Sequence, residues 1–417
     1  MTAIDRELIS TCVHCGFCLP TCPTWGLWHE EMDSPRGRIY LMEGLADGTL
    51  RLNPTVVEHF DRCLGCMACV TSCPSGVRYD RLIEQTRATI EREYLRPRRE
   101  RALRSAILAV VPHPRRLRAA LRLAPLGRRL PLPGLLSPLA GLAPTWRSGA
   151  AAPELTKPVG ERIGRVGLLS GCVQRVLFGD VNAATARVLA AYGFEVVAPR
   201  AQACCGALAM HAGRHDRGLE DARRAIDVFE ETGVDLVVSN AAGCGSNLKD
   251  YAHLLADDPI YGKRAVTFSA RARDVSELLA GLAPRVEPKP LALRVALQDP
   301  CHLAHAQGVR AEQRAVLARV PGLVLAEPED QALCCGSAGI YNLVQPQAAN
   351  ELGRRKAERV LAVEPDAYAA ANPGCLVQVS AELRRAGRPL PALHPVELLD
   401  ASLRGVAAGE LLARARR

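Results

Sequence analysis

No stretch of this 417-residue chain stays apolar for the length of a membrane span, because Arg or Pro interrupts every hydrophobic block well before that. The opening M-T-A-I-D-R-E-L lacks the apolar core of a secretory signal, so a cytoplasmic protein is expected. Aromatic residues make up only 4% of the chain, and few lie near the basic runs. That argues against a stacking platform for nucleic-acid bases, and no nucleic-acid partner is expected. Lysine is scarce as well: only five of the 53 basic residues are Lys, and Arg fills every kind of position. The formal charge of +9 therefore reads as coding bias rather than as a polyanion site. A Walker A loop is missing, as is a strand–G-x-G-x-x-G–helix unit, so the chain has no evident nucleotide site of its own.

What the chain does have is cysteine, sixteen in all. In a small secreted protein this would suggest disulfides, but in a long chain without a signal it points to metal ligands or reactive thiols. Two runs dominate the start. One holds Cys12, Cys15, Cys18 and Cys22 before Pro23; the other holds Cys63, Cys66, Cys69 and Cys73 before Pro74. Both read C-x2-C-x2-C-x3-C-P, the bacterial ferredoxin spacing for a [4Fe–4S] cluster. Cysteines so close together let one loop wrap three corners of a cube, and the fourth reaches over to the other cluster. We assign cluster one to Cys12, Cys15, Cys18 and Cys73, and cluster two to Cys63, Cys66, Cys69 and Cys22. Zinc sites pair two cysteines with two more further away, which does not match this spacing.

Four segments follow from the pattern. Residues 1–95 form a mostly helical ferredoxin-like module. The 40 residues between the runs are too many for a compact two-cluster ferredoxin, and helices are expected at 54–62 and after the second run. Arg36 and Arg38 flank Gly37 in S-P-R-G-R. They could favour a reduced cluster or grip an acidic partner, or merely occupy a solvated turn before a helix. Residues 96–155 form a connector rich in Arg, Pro and Leu. Its prolines rule out one long amphipathic helix. Leucines packed on the neighbouring domains are the preferred reading; the alternative is a segment lying on an anionic membrane surface, a peripheral position at the inner face of the cell membrane.

Residues 156–285 and 286–417 are an internal duplication. Cys172, the pair Cys204-Cys205 before Gly206, and Cys244 recur as Cys301, the pair Cys334-Cys335 before Gly336, and Cys375. The gaps are 32 and 39 residues in the first copy, 33 and 40 in the second. In the first copy a strand precedes the first cysteine, a helix ends at Gly193, and further strands precede the later cysteines. Alternating strands and helices imply an α/β fold with a parallel sheet in each cysteine-rich (CCG) repeat. Each cysteine then sits just past a strand, where ligands bind in open α/β sheets and where a helix N-terminus favours a thiolate. The four positions of each copy should converge. They could hold a further iron–sulfur cluster, the leading reading, or zinc, or act as a metal-free dithiol. Gly206 and Gly336 are expected to let the backbone approach a cofactor closely.

Two ferredoxin runs followed by two Cys-Cys-Gly repeats resemble the iron–sulfur subunit of glycolate oxidase (glycolate dehydrogenase). The most specific details are S-P-R-G-R-I (34–39), D-P-C-H-L-A-H (299–305), C-C-G-S-A-G-I-Y-N (334–342) and H-P-V-E-L-L-D-A-S (394–402). The resemblance covers essentially the whole chain. It implies a complex that oxidises glycolate, and often D-lactate, with FAD on partner subunits and a membrane quinone as acceptor. The wider family includes heterodisulfide reductase, whose repeats end Cys-x-x-Cys and hold non-cubane clusters. Here Asn247 and Gln378 stand where that last cysteine would be, so such a cluster is not assumed. A thiol–disulfide reductase subunit, or the equivalent subunit of another hydroxy-acid or glycerol-3-phosphate dehydrogenase, is the competing reading. His302 and His305, beside Cys301, are candidates for ligands or for proton carriers to a quinone, and equally for capping or packing. His14 could tune the first cluster through hydrogen bonds, and His394 reads as structural.

Overall fold

The computed structural model describes residues 4–127 and 150–416. Its first part is helical, and local chemistry sets the helix ends. Ser34 caps Pro35–Asp47 by accepting from the Gly37 amide at 3.0 Å. Asn53 does the same for Pro54–Arg62, accepting from Val56 at 3.0 Å. In both, Pro takes the first helical position, where no amide hydrogen is missed. With Tyr79–Glu93 these helices bury Ile39, Met42, Phe60, Leu82, Ile83 and Ile90 in one core. The two cysteine loops wrap this core, and no strand forms here among the described residues.

The connector begins at Arg96, which is buried and paired with Asp61, Glu91 and Glu100 at 2.6–2.7 Å. Helices Arg98–Val110 and Pro114–Gly127 follow, separated at Pro112 and Pro114. Their apolar residues turn inward. Ile107 and Leu108 pack with Ala212 and Ile340, and Leu117 packs with Val176 and Leu177. In the described part Leu108 and Leu117 therefore pack on the repeats, while Leu123 stays exposed. The remainder of the Pro/Leu run, 128–149, lies outside the described residues. No described helix is long and apolar enough to cross a membrane.

Each repeat builds one sheet. The first contains β1 (Leu155–Thr156), β2 (Gly164–Leu169), β3 (Phe194–Val197), β4 (Leu236–Ser239) and β5 (Ala272–Asp274), in the order β1-β3-β2-β4-β5. The second contains β6 (Leu293–Gln298), β7 (Leu323–Ala326), β8 (Ala367–Ala370) and β9 (Ala392–Leu393), in the order β7-β6-β8-β9. Apart from the antiparallel β1, every pairing is parallel. The second sheet repeats the topology of β2–β5.

The repeats do not fold around separate cores. Helix Gly179–Ala191 of the first packs on Pro395–Arg404 of the second, and Ala311–Leu317 of the second packs on Val275–Ala280 of the first. This reciprocal exchange merges Val166, Leu168, Val188 and Leu189 with Val295, Leu297, Leu398 and Leu399 in one core. Arg187 reinforces it with a two-pronged pair to Asp400 at 2.7 and 2.8 Å. At the centre the Ala242 amide donates to the Ala371 carbonyl at 3.0 Å, which brings the ends of β4 and β8 together.

Candidate functional site

Within the first module the thiols fall into neighbouring sets. Burial pushes the Cys12 thiol up, and Cys73 and Cys15 push it further, against the His14 amide and the Arg36 guanidinium. Burial likewise pushes Cys18 up to about 11, with Cys12 and Cys22 among its neighbours. Cys69 is raised by burial and by Cys66, Cys63 and Cys22. Cys73 of the second run thus lies with the first run, and Cys22 of the first lies with the second. Sulfurs gathered this way repel one another as thiolates, and a cationic iron core would relieve that repulsion. The donor chemistry fits [4Fe–4S] clusters.

The two sets differ in surroundings. Cys15 is exposed, between Val13 and Phe17, each 66% exposed. Cys63, Cys66 and Cys69 are buried. Arg38 is 1% exposed, donates to the His59 carbonyl at 2.7 Å and to Thr24 Oγ1 at 3.1 Å, and pairs with buried Asp33 at 3.3 Å. It is no solvated turn residue and cannot grip a partner. Burial raises the Cys63 thiol, but Arg38, Arg87, the Gly65 amide and the Tyr79 hydroxyl together bring it below its ordinary value. Arg36 is bound to Glu31 at 2.7 Å beside cluster-one cysteines. His14 acts through its backbone amide, which faces Cys12.

The module meets the second repeat at its buried end. Leu64, Cys66 and Ala68 pack with Cys334, Tyr341 and Ala349, with Cys301 at the edge of the cluster. After burial itself, Cys301 does most to raise the Cys66 thiol. The two candidate histidines pin this junction. His302 Nε2 meets the Gly65 carbonyl at 3.0 Å, and its Nδ1 meets Ser246 Oγ at 2.9 Å. His305 Nδ1 meets Thr71 Oγ1 at 2.8 Å, and its Nε2 meets the Ala332 carbonyl at 3.3 Å. With both ring nitrogens engaged, neither histidine is free to ligate a metal. His394 is fully buried, caps Pro395–Arg404 and bonds the Asn240 carbonyl at 2.7 Å, a structural role.

In each repeat the cysteines sit at the C-terminal ends of parallel strands. Cys172 follows β2, Cys204-Cys205 follow β3, and Cys244 lies in the first turn of Ala242–Leu254 after β4. Cys301, Cys334-Cys335 and Cys375 take the matching places in the second repeat. The thiols form contact chains. Cys172 and Cys204 sulfurs are 3.6 Å apart, Cys204 touches Cys205, and Cys205 touches Cys244. In the second copy Cys301 touches Cys334, Cys334 touches Cys335, and Cys335 touches Cys375.

The glycines after the pairs have a packing role besides the one expected. Gly206 (φ 88°) presses on His215–Glu230 and Gly336 (φ 87°) on Pro346–Ala362. A Cβ there would sit 2.7 Å from the Gly218 carbonyl oxygen and 2.5 Å from that of Ala349. The residues that replace the last cysteine of the heterodisulfide reductase pattern also brace the backbone. Asn247 donates to the Cys205 carbonyl at 2.7 Å, as does the Tyr251 hydroxyl, also at 2.7 Å. Gln378 donates to the Ala349 carbonyl at 3.0 Å.

All eight repeat cysteines line a single cavity of about 680 Å³ between the two halves. Connector residues such as Leu103, Ile107, Leu117 and Leu121 form its apolar wall. Sequence reasoning placed the cysteines and packed the connector leucines on the neighbouring domains, but did not foresee that they wall a cavity, nor Gln174 and His211. The one available signal was the Leu-rich connector itself.

Fold and site together define an iron–sulfur electron-transfer protein: a two-cluster helical module joined to a pair of cysteine-rich domains. Residues 8–77 match the family described as 4Fe-4S dicluster domain, and residues 166–249 and 295–380 match Cysteine-rich domain. The probable glycolate oxidase iron-sulfur subunit of Bacillus subtilis (strain 168) is 36% identical, over 95% of this chain and 94% of its own length. The glycolate oxidase iron-sulfur subunit of Escherichia coli (strain K12) is 37% identical, over 95% of both chains. A crystal structure of a hypothetical protein from Helicobacter pylori has a TM-score of 0.57 over 89% of this chain and 68% of that one, at 7% identity, a likeness of fold alone. The chain belongs to the family of glycolate oxidase iron–sulfur subunits.

Proposed function

We propose that this chain is the electron-transferring subunit of a flavin-dependent glycolate and D-lactate dehydrogenase. FAD-binding partner subunits would oxidise the hydroxy acid, and a quinone-type molecule would accept the electrons. A single observation carries the proposal: cysteine sets stand at the surface, at the buried junction with the second repeat and around the inner cavity. They begin at exposed Cys15 and pass to buried Cys66, which faces Cys301. In this reading Cys12, Cys15, Cys18 and Cys73 hold one [4Fe–4S] cluster, and Cys63, Cys66, Cys69 and Cys22 hold the other. Bound iron–sulfur clusters take up and release single electrons. Arg36 and Arg38 supply positive charge beside these sets, which favours the more negative, reduced state.

In the repeats, Cys172, Cys204, Cys205 and Cys244, and Cys301, Cys334, Cys335 and Cys375, are the ligand sets of further iron–sulfur centres. The test is purification of the chain with its flavoprotein partners. Glycolate should bleach the visible iron–sulfur absorbance only when those partners are present. Reduction of a disulfide by the isolated chain, supplied with a chemical donor, would overturn the assignment.

A further inference from the structure

The cavity between the repeats has features that thiolate-held iron does not require. Its volume, about 680 Å³, is shared with any iron the eight cysteines hold, so the features that matter lie in the rest of its lining. Its wall is aliphatic on the side of both connector helices. Two side chains in that lining carry buried polar atoms without a partner. Gln174 is 1% exposed, and neither its Oε1 nor its Nε2 makes a hydrogen bond. His211 Nε2 is likewise buried and unpaired. A buried amide without a partner costs about 1–3 kcal/mol, a cost that a bound molecule would remove.

We propose that this cavity is where the electron acceptor binds and is reduced, and that the acceptor is a quinone whose ring oxygens meet Gln174 and His211. The inference rests on the electron-transfer reading above, quinone acceptor included, and adds the place where the acceptor binds and the residues that meet it. The cysteine line ends at the cavity, which is therefore the place to look for the acceptor. The aliphatic wall selects an apolar one, and the unpaired groups select one with hydrogen-bonding oxygens. A quinone also takes electrons singly, as iron–sulfur centres deliver them. In the balanced step each ring C=O becomes C–O–H. The quinone gains two electrons from the hydroxy acid oxidised on the flavoprotein partner, and two protons from solvent.

The test uses the complex purified with its flavoprotein partners and a water-soluble short-chain benzoquinone. Quinone should raise the melting temperature of the wild-type complex, as any ligand bound to the native state does. It should do so far less in the Gln174→Leu variant. That variant should raise the KM for quinone by about tenfold, equivalent to one lost hydrogen bond, with a smaller change in kcat. It should itself be at least as stable as wild type, because an unpaired amide has been removed. A photoreactive quinone should label peptides around Leu103–Leu121 and Val173–Leu177. Labelling confined to the flavoprotein subunits, or protection by a disulfide but not by quinone, would overturn the proposal. Glycolate bleaching of the wild-type complex checks the underlying reading separately: bleaching with no quinone effect refutes this inference alone.

Discussion

Replacing Gly336 by Ala tests how the cysteine pair is held. The residue has φ 87°, and a new Cβ would lie 2.5 Å from the Ala349 carbonyl oxygen and 3.0 Å from its Cα. Two costs add. A left-handed conformation costs a non-glycine residue about 1–2 kcal/mol. The clash is with helix backbone, which cannot rotate away, and overpacking of this kind costs about 1–3 kcal/mol. The sum is about 2–5 kcal/mol, or a fall in melting temperature of about 4–10 °C for a unit the size of the fused repeats. Gly387 is the control, with φ 72° in the same repeat and nothing within 4 Å of a new Cβ. Gly387→Ala should cost only the first part, about 1–2 kcal/mol. Thermal unfolding of the two variants side by side is the assay. Equal losses would refute the argument that Gly336 is needed for packing against Pro346–Ala362.

Other consequences are open to direct measurement. Cys204→Ser should remove iron and an EPR signal beyond the two ferredoxin centres while leaving those centres intact; unchanged iron would sink metal binding in the first repeat. Arg38→Met breaks a pair in which both side chains are buried, and should cost about 3 kcal/mol or more in chemical unfolding. Loss of its charge beside Cys63 and Cys22 should lower the reduction potential of cluster two in an EPR-monitored titration; an unchanged potential would contradict the electrostatic role. His394 is held by burial at about 4, below its ordinary 6.5. It is protonated more readily unfolded than folded, so its contribution is complete above about pH 6.5 and is lost as pH falls towards 4, up to about 3 kcal/mol. Denaturant midpoints of His394→Asn should therefore depend less on pH across that window than those of wild type.

Much of the molecule was legible from spacing alone. The ferredoxin runs are local patterns, and the repeated gaps around Cys204-Cys205 and Cys334-Cys335 align two copies without any structure. Capping chemistry also reads locally, as at Ser34-Pro35 and Asn53-Pro54. What the sequence concealed depends on partners distant along the chain. Arg38 sits in a turn-like S-P-R-G-R, and only packing against Asp33 and His59 reveals that it is buried. His302, beside Cys301, could be a ligand, a proton carrier or a packing residue from sequence alone; its partners are Gly65 and Ser246, on other elements. The two repeats looked like separate domains, since no local periodicity announces that each lends a helix to the other's core. Gln174 stands out only because the fold leaves it without a partner.

The most direct test of the account is iron and acid-labile sulfide per chain, with EPR, on protein purified without oxygen. Two ferredoxin clusters alone require about eight irons. Ligand sets in both the module and the repeats predict clearly more than eight, with additional reducible signals. A value of about eight or less, with no further signal, would contradict the claim that the cysteine line carries electrons as far as the cavity.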